Sequence, residues 1–466
     1  MAVVGWQVAS PARFDEANFN LPIGQARPAF SLEPRIGQGG DAIMEQERRG
    51  WLIVAVLFVV LVLCYGTVLN TVGMFVTPLA KEFGWGRAKI SVLTSAIALM
   101  SGVASLLAGW MLDRTEAKYV MAAGVAIATG GYVLASQADS FSMLLCAHTL
   151  LGIGMGAAGL VPASMVVANW FEARRGFALG VTISGSSIGG LINNLVVGHA
   201  IASHGWRVGY ILLAIPMAVI AIPLLLLTVE TRPPMHGAEK RLSVREASAL
   251  LPGLEVREAL RSSSFWLLLF STFCFWFAVN PTETHLIPYF IGLGYSQTTA
   301  ASIFSLLFPS VILGKLVMGR WADRITGRLA LTIDFILEGI AFVAFIYVAP
   351  HKGLIVPLVM FAGFPGGVPL SMVPMVQAEA LGLKRFGSLA GLVGFVGTLG
   401  ATLGPIAVGW LFDMLDSYAL AFEGCAVVML VGAMAVFNCS ARYREVSVPV
   451  QAAAASGGQP NPIGIE

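Results

Sequence analysis

FSLLFPSVILGKLVMGRWADR, residues 304–324, is apolar for most of its length and then turns charged. A run of about 20 such residues is long enough to cross a bilayer as a helix. Lys315 lies eight residues before Asp323, which is about 12 Å of helix at a rise of 1.5 Å per residue. An ammonium group therefore sits well inside the hydrocarbon, where a charge is costly unless something compensates it. A lysine stem of roughly 6 Å is too short to snorkel across that depth. An anion bound from outside the chain would compensate the charge, and so would an ion pair within the helix bundle.

The rest of the chain supports a membrane setting. Of 466 residues, 57% are hydrophobic and only 12% charged, and mean hydropathy is +0.79; soluble domains carry about a quarter charged residues. The net charge of +2 points to no nucleic-acid partner. Cys64, Cys146, Cys274, Cys425 and Cys439 all lie in apolar segments without paired spacing. They read as small core residues, with neither disulfide nor metal chemistry implied. No cofactor motif is present: the glycines of LGIGMGAAGL (151–160) and GVTISGSSIGG (180–190) follow no strand, and read as close helix approach in lipid.

Twelve spans are expected, near 51–79, 88–112, 117–136, 140–169, 174–203, 205–230, 263–291, 298–322, 327–349, 353–380, 385–412 and 417–440. The polar connection 231–262 divides them six and six, giving bundles over 51–230 and 263–440. Residues 1–50 are polar, rich in Pro and Gly, and without a signal-peptide apolar core, so they read as a disordered tail with Met44 as an alternative start. Residues 441–466 read as a second tail. With both tails placed inside, 22 Lys and Arg fall on the inner side and 5 on the outer, so both termini are expected in the cytoplasm.

The two halves repeat at a constant offset of 210 residues. Asn70 meets Asn280, Pro78 meets Pro288 and Gly84 meets Gly294. Gly109, Asp113 and Arg114 meet Gly319, Asp323 and Arg324. Arg174 and Arg175 meet Lys384 and Arg385, and Gly190 meets Gly400. Parallel copies of this kind occur in transporters whose site lies between two bundles near the midplane.

GWMLDRTEAK (109–118) and GRWADRITGR (319–328) resemble the duplicated loop signature of the major facilitator superfamily, G-x-L-a-D-R-x-G-R-[KR]. The first copy departs from it at Glu116 and Ala117, where Gly and Arg are usual. NWFEARRGFALGVTISGSSIGG (169–190) is similar to the monocarboxylate-porter and oxalate/formate-antiporter branch. That branch commonly carries a cation in the eighth span four residues before the Gly of the repeated motif, and Lys315 stands there, where Arg is usual. The resemblance implies an all-α fold of twelve transmembrane helices in two six-helix pseudo-repeats. It implies secondary transport by alternating access, and no enzymatic activity. An Asp at a helix end can pair with basic residues and cap a neighbouring helix N-terminus. Gly109, Asp113, Arg114, Arg174, Arg175, Gly319, Asp323 and Arg324 are accordingly read as a conformational latch.

Lys315 is read as the group that binds a substrate carboxylate, with Asn70, Asn280, Tyr65 and Asn194 as further substrate contacts. In FWFAVNPTETHLIPYF (275–290) the Asn280–Pro281 pair is expected to break the helix. Glu283 and His285 follow it and are candidates for proton carriage. Asp334 and Glu338, four residues apart on one helical face, are two more, with a structural pairing as the plainer reading. The aromatic cluster of Phe273, Phe275, Trp276 and Phe277 reads as packing or lipid contact.

The function expected is transport of a small organic anion, a monocarboxylate first, with proton symport. The protein is expected to work as a monomer in a bacterial inner membrane. Anion exchange or efflux on the same fold, and a non-transporting membrane sensor, are the other readings.

Overall fold

Twelve stretches of helix follow from twelve apolar runs. The computed structural model describes residues 39–172, 174–233, 248, 250–440 and 443. Residues 1–38 of the tail read at 1–50, residues 234–247 and 249 of the connection read at 231–262, and 441–466 apart from Tyr443 lie outside the described residues. Residues 46–466 form one unit, and of residues 1–45 the described part is the start of the first helix. That helix, Gly39–Leu63, begins inside the stretch read as a disordered tail.

Among the described residues, eleven helical stretches are long and apolar enough to cross a membrane. The first span runs through Gly39–Leu63, Tyr65–Asn70 and Val72–Phe83. The second is Arg87–Leu112 and the third Ala117–Ser136. The fourth is split into Phe141–Ala158 and Leu160–Trp170, and the fifth is Arg175–His204. The sixth joins Trp206–Pro216 to Ile222–Thr228 through a π-helical turn. The seventh is Ser263–Gly292, and the eighth comprises Gln297–Ser305 and Leu307–Arg324. The ninth is Gly327–Tyr347, the eleventh Phe386–Leu415 and the twelfth Ala419–Phe437.

The tenth completes the twelve in two pieces, Ile355–Gly363 and Pro369–Leu381. Its sequence, GFPGGVP at 363–369, explains the gap. Pro365 and Pro369 each lack a donor, and the glycines between them favour helix least.

The seventh span corrects the sequence reading: it is one continuous helix through both Pro281 and Pro288. A proline within a membrane helix is tolerated when neighbouring helices support the freed backbone. The eleventh span packs along this stretch, and Asn280 beside Pro281 donates its side-chain amide to the Ala401 carbonyl there at 2.7 Å. Interruptions fall elsewhere, among them Cys64 and Thr71 in the first span, Gly159 in the fourth, Leu306 in the eighth and 364–368 in the tenth.

Gly84 and Gly294, one repeat apart, have φ of 66° and 87°. Each follows its apolar run in the left-handed region, which glycine enters without the Cβ penalty other residues meet.

The second span packs antiparallel on the eleventh, and the fifth on the eighth, so each contact joins a helix of the first half to one of the second. A Cβ added to Gly109 would collide with the Gly387 carbonyl, and one added to Gly176 with the Gly319 carbonyl. Further along the same helices, Gly391 lies against Ser105 and Gly180 against Lys315, again backbone to backbone. Small residues let the helices approach this closely in lipid.

Candidate functional site

The repeated motif ends in two carboxylates, and each caps a helix of the other half. Asp113 accepts hydrogen bonds from the amides of Gly387 (3.1 Å) and Ser388 (3.2 Å) and from the Ser388 hydroxyl (2.5 Å). Asp323 accepts from the amides of Gly176 (2.6 Å) and Phe177 (3.0 Å). These are the first amides of the eleventh and fifth spans, which have no partner within their own helix and carry the positive end of its dipole.

The basic residues named with this latch do not touch either carboxylate through a hydrogen bond. Arg114 donates to the Trp110 carbonyl at 2.8 Å and stacks on its ring. Arg174 pairs with Glu47 at 2.8 Å on the surface. Arg175 donates to the carbonyls of Phe171 (2.9 Å) and Ala168 (3.2 Å), closing the end of the fourth span. Arg324 is exposed.

Lys315 is only 2% exposed. Its Nζ donates to Ser187 Oγ (2.9 Å), Ser186 Oγ (3.4 Å) and the Ile183 carbonyl (3.5 Å), all on the fifth span. An ammonium has three N–H bonds, so three oxygens satisfy its hydrogen bonding. They do not compensate its charge: among the described residues no carboxylate forms an ion pair with it. The serines belong to GSSIGG (185–190), which the sequence presents as a packing motif. Across from Lys315 lies the break in the tenth span. A Cβ on Gly367 would come within 2.7 Å of Lys315 Cε and 3.5 Å of Nζ.

Beside that break, residues of the fourth, seventh, tenth and eleventh spans line a half-open cleft of about 90 Å3. Its walls are mostly apolar, and they include Phe275 and Trp276 of the aromatic cluster that reads from sequence as packing.

The other expected contacts are dispersed. Asn70 donates to the carbonyls of Gly66 (2.8 Å) and Ser186 (3.5 Å), tying the first span to the fifth. Asn280 ties the seventh to the eleventh in the same way, one repeat later. The Tyr65 ring fills the space beside Gly159, where the fourth span breaks. His285 lies 3.3 Å from Tyr418 Oη and 3.2 Å from the Pro405 carbonyl. The side chains of Asn194 and Glu283 lie outside the described residues. Asp334 and Glu338 are buried in the ninth span, which packs on the tenth and twelfth. Neither forms an ion pair among the described residues, and both Asp334 oxygens lack a hydrogen-bond partner. The structure does not bring either to the Lys315 ammonium.

Outside the spans, the connection between the halves docks onto the loop before the eleventh span. Leu254 N donates to the Leu381 carbonyl and Leu383 N to the Pro252 carbonyl, each at 2.9 Å. Glu255 pairs with Arg385 at 2.8 Å and Lys384 at 3.3 Å. The bond from Arg385 holds the Glu255 carboxyl below its ordinary range.

A membrane bundle with repeat-related helix contacts between its halves, and a buried cation where those halves meet, defines a secondary transporter. The chain belongs to the Major Facilitator Superfamily, whose family model matches residues 57–309 and 286–462. It is a multi-pass membrane transporter and not an enzyme. It is similar to monocarboxylate transporter 12 of Rattus norvegicus, at 25% identity over 445 residues that cover 89% of this chain and 90% of that protein. Among solved structures it resembles the E. coli fucose:proton symporter FucP, with a TM-score of 0.65 and 15% identity over 84% of this chain and 98% of that one. The proton:xylose symporter XylE matches with a TM-score of 0.68 and 13% identity over 84% and 95%. These two likenesses establish the fold.

Proposed function

We propose that this protein carries a small monocarboxylate together with a proton, and that Lys315 receives the carboxylate. The observation that carries the reading is a wholly buried ammonium whose hydrogen bonds are met by Ser186, Ser187 and Ile183 while its charge is not. A carboxylate arriving at Nζ replaces hydroxyls with a countercharge, and charge-assisted bonds are the stronger kind. The resemblance to a monocarboxylate transporter supports the same class of cargo.

Charge balance couples the proton. An uncompensated charge at this depth is costly. The loaded carrier therefore crosses with ammonium and carboxylate together, and the empty one returns with an uncharged amine. One proton thus accompanies each anion. Residues 51–230 and 263–440 act as the two rocking bundles, both termini face the cytoplasm, and the protein works as a monomer in the cell membrane. The capped ends at Asp113 and Asp323 are the latch that closes the cytoplasmic side, and they release when the bundles rock.

The test is uptake into proteoliposomes of labelled lactate, pyruvate, acetate, oxalate and an aromatic acid, with and without an inward proton gradient. Accumulation of one acid should follow the gradient. It should be abolished in Lys315→Ala and partly kept in Lys315→Arg, which preserves the charge. Uptake indifferent to Lys315 sinks the assignment. Loss of gradient dependence in Asp334→Asn or Glu338→Gln, with uptake intact, would move the proton route to the ninth span.

A further inference from the structure

We infer that Asp334 and Glu338 form a resident proton site that keeps the break of the tenth span packed against Lys315, so that the carrier works only while the pair is protonated. The effect on uptake rests on the reading of Lys315 as the carboxylate's partner; the protonation itself does not.

The ninth span turns this pair toward the break. A Cβ added to Gly327 would meet Met375 Cγ at 2.9 Å and Glu379 Oε2 at 3.2 Å, so that face of the helix looks at the tenth span. Asp334 and Glu338 follow Gly327 by seven and eleven residues, about two and three turns and roughly 10 and 16 Å along the helix. Counted back from 375–379 on the antiparallel tenth span, those rises reach the level of the break at 364–368. The first half shows the same register. Gly124 and Ala128, one repeat of 210 residues earlier, abut Ala157 and Gly154, whose counterparts are Gly367 and Phe364. The third span thus meets its neighbour with two small residues where the ninth presents two acids, and packing alone does not call for carboxylates. On its other side the break touches the eighth span. A Cβ on Gly314 would collide with the Phe364 carbonyl, and one on Gly367 would meet Lys315 Cε at 2.7 Å.

Asp334 is 1% and Glu338 5% exposed, and among the described residues both Asp334 oxygens and Glu338 Oε2 have no hydrogen-bond partner. A carboxylate buried with neither donor nor cation is costly as an anion, and two anions four residues apart on one helix add repulsion. The elements packed against the pair supply no countercharge. The tenth span carries one titratable side chain, Glu379, which accepts from the Gly327 amide at 3.0 Å. The twelfth carries Glu423, which is exposed, and Cys425, a thiol beside Glu338. The eighth carries Lys315, whose ammonium is turned to the serines of the fifth. Its other charges, Arg320, Asp323 and Arg324, stand at its far end beside the loop to the ninth span. On the ninth span itself, Arg328 donates to the Cys439 carbonyl at 2.9 Å. A proton needs no cavity and removes the charge. Once it leaves, only water can meet the anion, and the break is the way in, since its residues belong to neither helical piece. Water admitted there withdraws Gly367 from Lys315.

The test uses the full chain and labelled lactate, with infrared absorption as a second readout. Near neutral pH, wild type should show carboxylic-acid carbonyl bands that the double variant Asp334→Asn/Glu338→Gln lacks, because neutral amides replace the acids there. With equal pH on both sides, wild-type lactate uptake should fall as pH rises. At alkaline pH the double variant should retain about threefold more of its neutral-pH rate than wild type does. Glu338→Asp, which keeps an acid, should follow wild type. Accumulation under an inward proton gradient should persist in the double variant. Missing acid bands in wild type, or equal pH profiles in the two proteins, overturns the inference. Loss of accumulation with uptake intact also overturns it, since the proton would then be carried and not held. If no lactate moves, transport of that acid falls, and hydrogen exchange over 364–368 decides the inference. Corrected for intrinsic exchange, it should quicken at alkaline pH in wild type and not in the double variant; equal behaviour overturns the site.

Discussion

Asp113 and Asp323 occupy the same position in two copies of one motif, yet they are held differently. Asp113 is 1% exposed and takes three hydrogen bonds, whereas Asp323 is half-buried and takes two. The third bond comes from the Ser388 hydroxyl, and one repeat earlier the equivalent residue is Ala178. The neighbouring arginines diverge as well. Arg385 pairs with Glu255 of the connecting segment, while its repeat partner Arg175 folds back onto carbonyls of the fourth span. The capping carboxylate is common to both copies because any helix N-terminus offers unpaired amides. The surroundings differ because the chain has one connection between its halves, and it can dock beside only one of the two caps.

The largest effect should come from the feature both copies share. In Gly109→Leu and Gly319→Leu the new side chain meets an opposing backbone carbonyl, of Gly387 or Gly176, and neither can move aside alone. Spin labels at Thr115 and Lys384 should read a longer distance across this end of the molecule in Gly109→Leu than in wild type. An unchanged distance would show that the close approach is not what holds the end shut.

Asp113→Ala should disfavour the closed end more than Asp323→Ala does. Each charge-assisted hydrogen bond is worth about 1.5–3 kcal/mol, so the extra bond corresponds to roughly a ten- to hundredfold difference in population at about 1.4 kcal/mol per decade. Ser388→Ala should erase most of that asymmetry, and Ala178→Ser should partly restore it at the other cap. The same label distances, taken as populations, measure all four. Equal effects of the two aspartates would mean that the hydroxyl contributes nothing.

The smallest effect belongs to Glu255. Its folded pKa is lowered, so what it contributes is present above the ordinary carboxylate range and is lost as pH falls through the lowered value. The group is well exposed, and such pairs are worth about 0.2–1 kcal/mol and are screened by salt. Hydrogen exchange at the Leu254 and Leu383 amides should quicken modestly in Glu255→Gln. Corrected for intrinsic exchange, wild type should show the same loss of protection at low pH. Insensitivity to both would leave the docking to the backbone bonds alone.

Much of this was legible in the residues. The helical spans and the 210-residue repeat follow from lengths and spacings, which are properties of the chain read locally. So does the depth of Lys315. The Asn280–Pro281 reading failed for a tertiary reason. A proline removes a hydrogen bond wherever it stands, but whether the helix then bends depends on what packs against it, and here the eleventh span does. The break at 364–368 is local, since Pro365, Gly366, Gly367 and Pro369 disfavour helix there, while the run around it stays apolar end to end.

By itself, then, the sequence determined an all-helical membrane bundle of the Major Facilitator Superfamily, a 210-residue repeat with an aspartate at the same place in each copy, and a lysine within an apolar run. Only the tertiary structure decided what those groups touch. The hydroxyls that hold Lys315 lie 128 and 129 residues away in the chain, and Asp113 reaches amides 274 and 275 residues away. Helices that are apolar nearly all round give no strong signal of which face turns inward. Their rotation is fixed by backbone approach at glycines such as Gly109, Gly176, Gly319 and Gly387, and those contacts exist only once the halves have met.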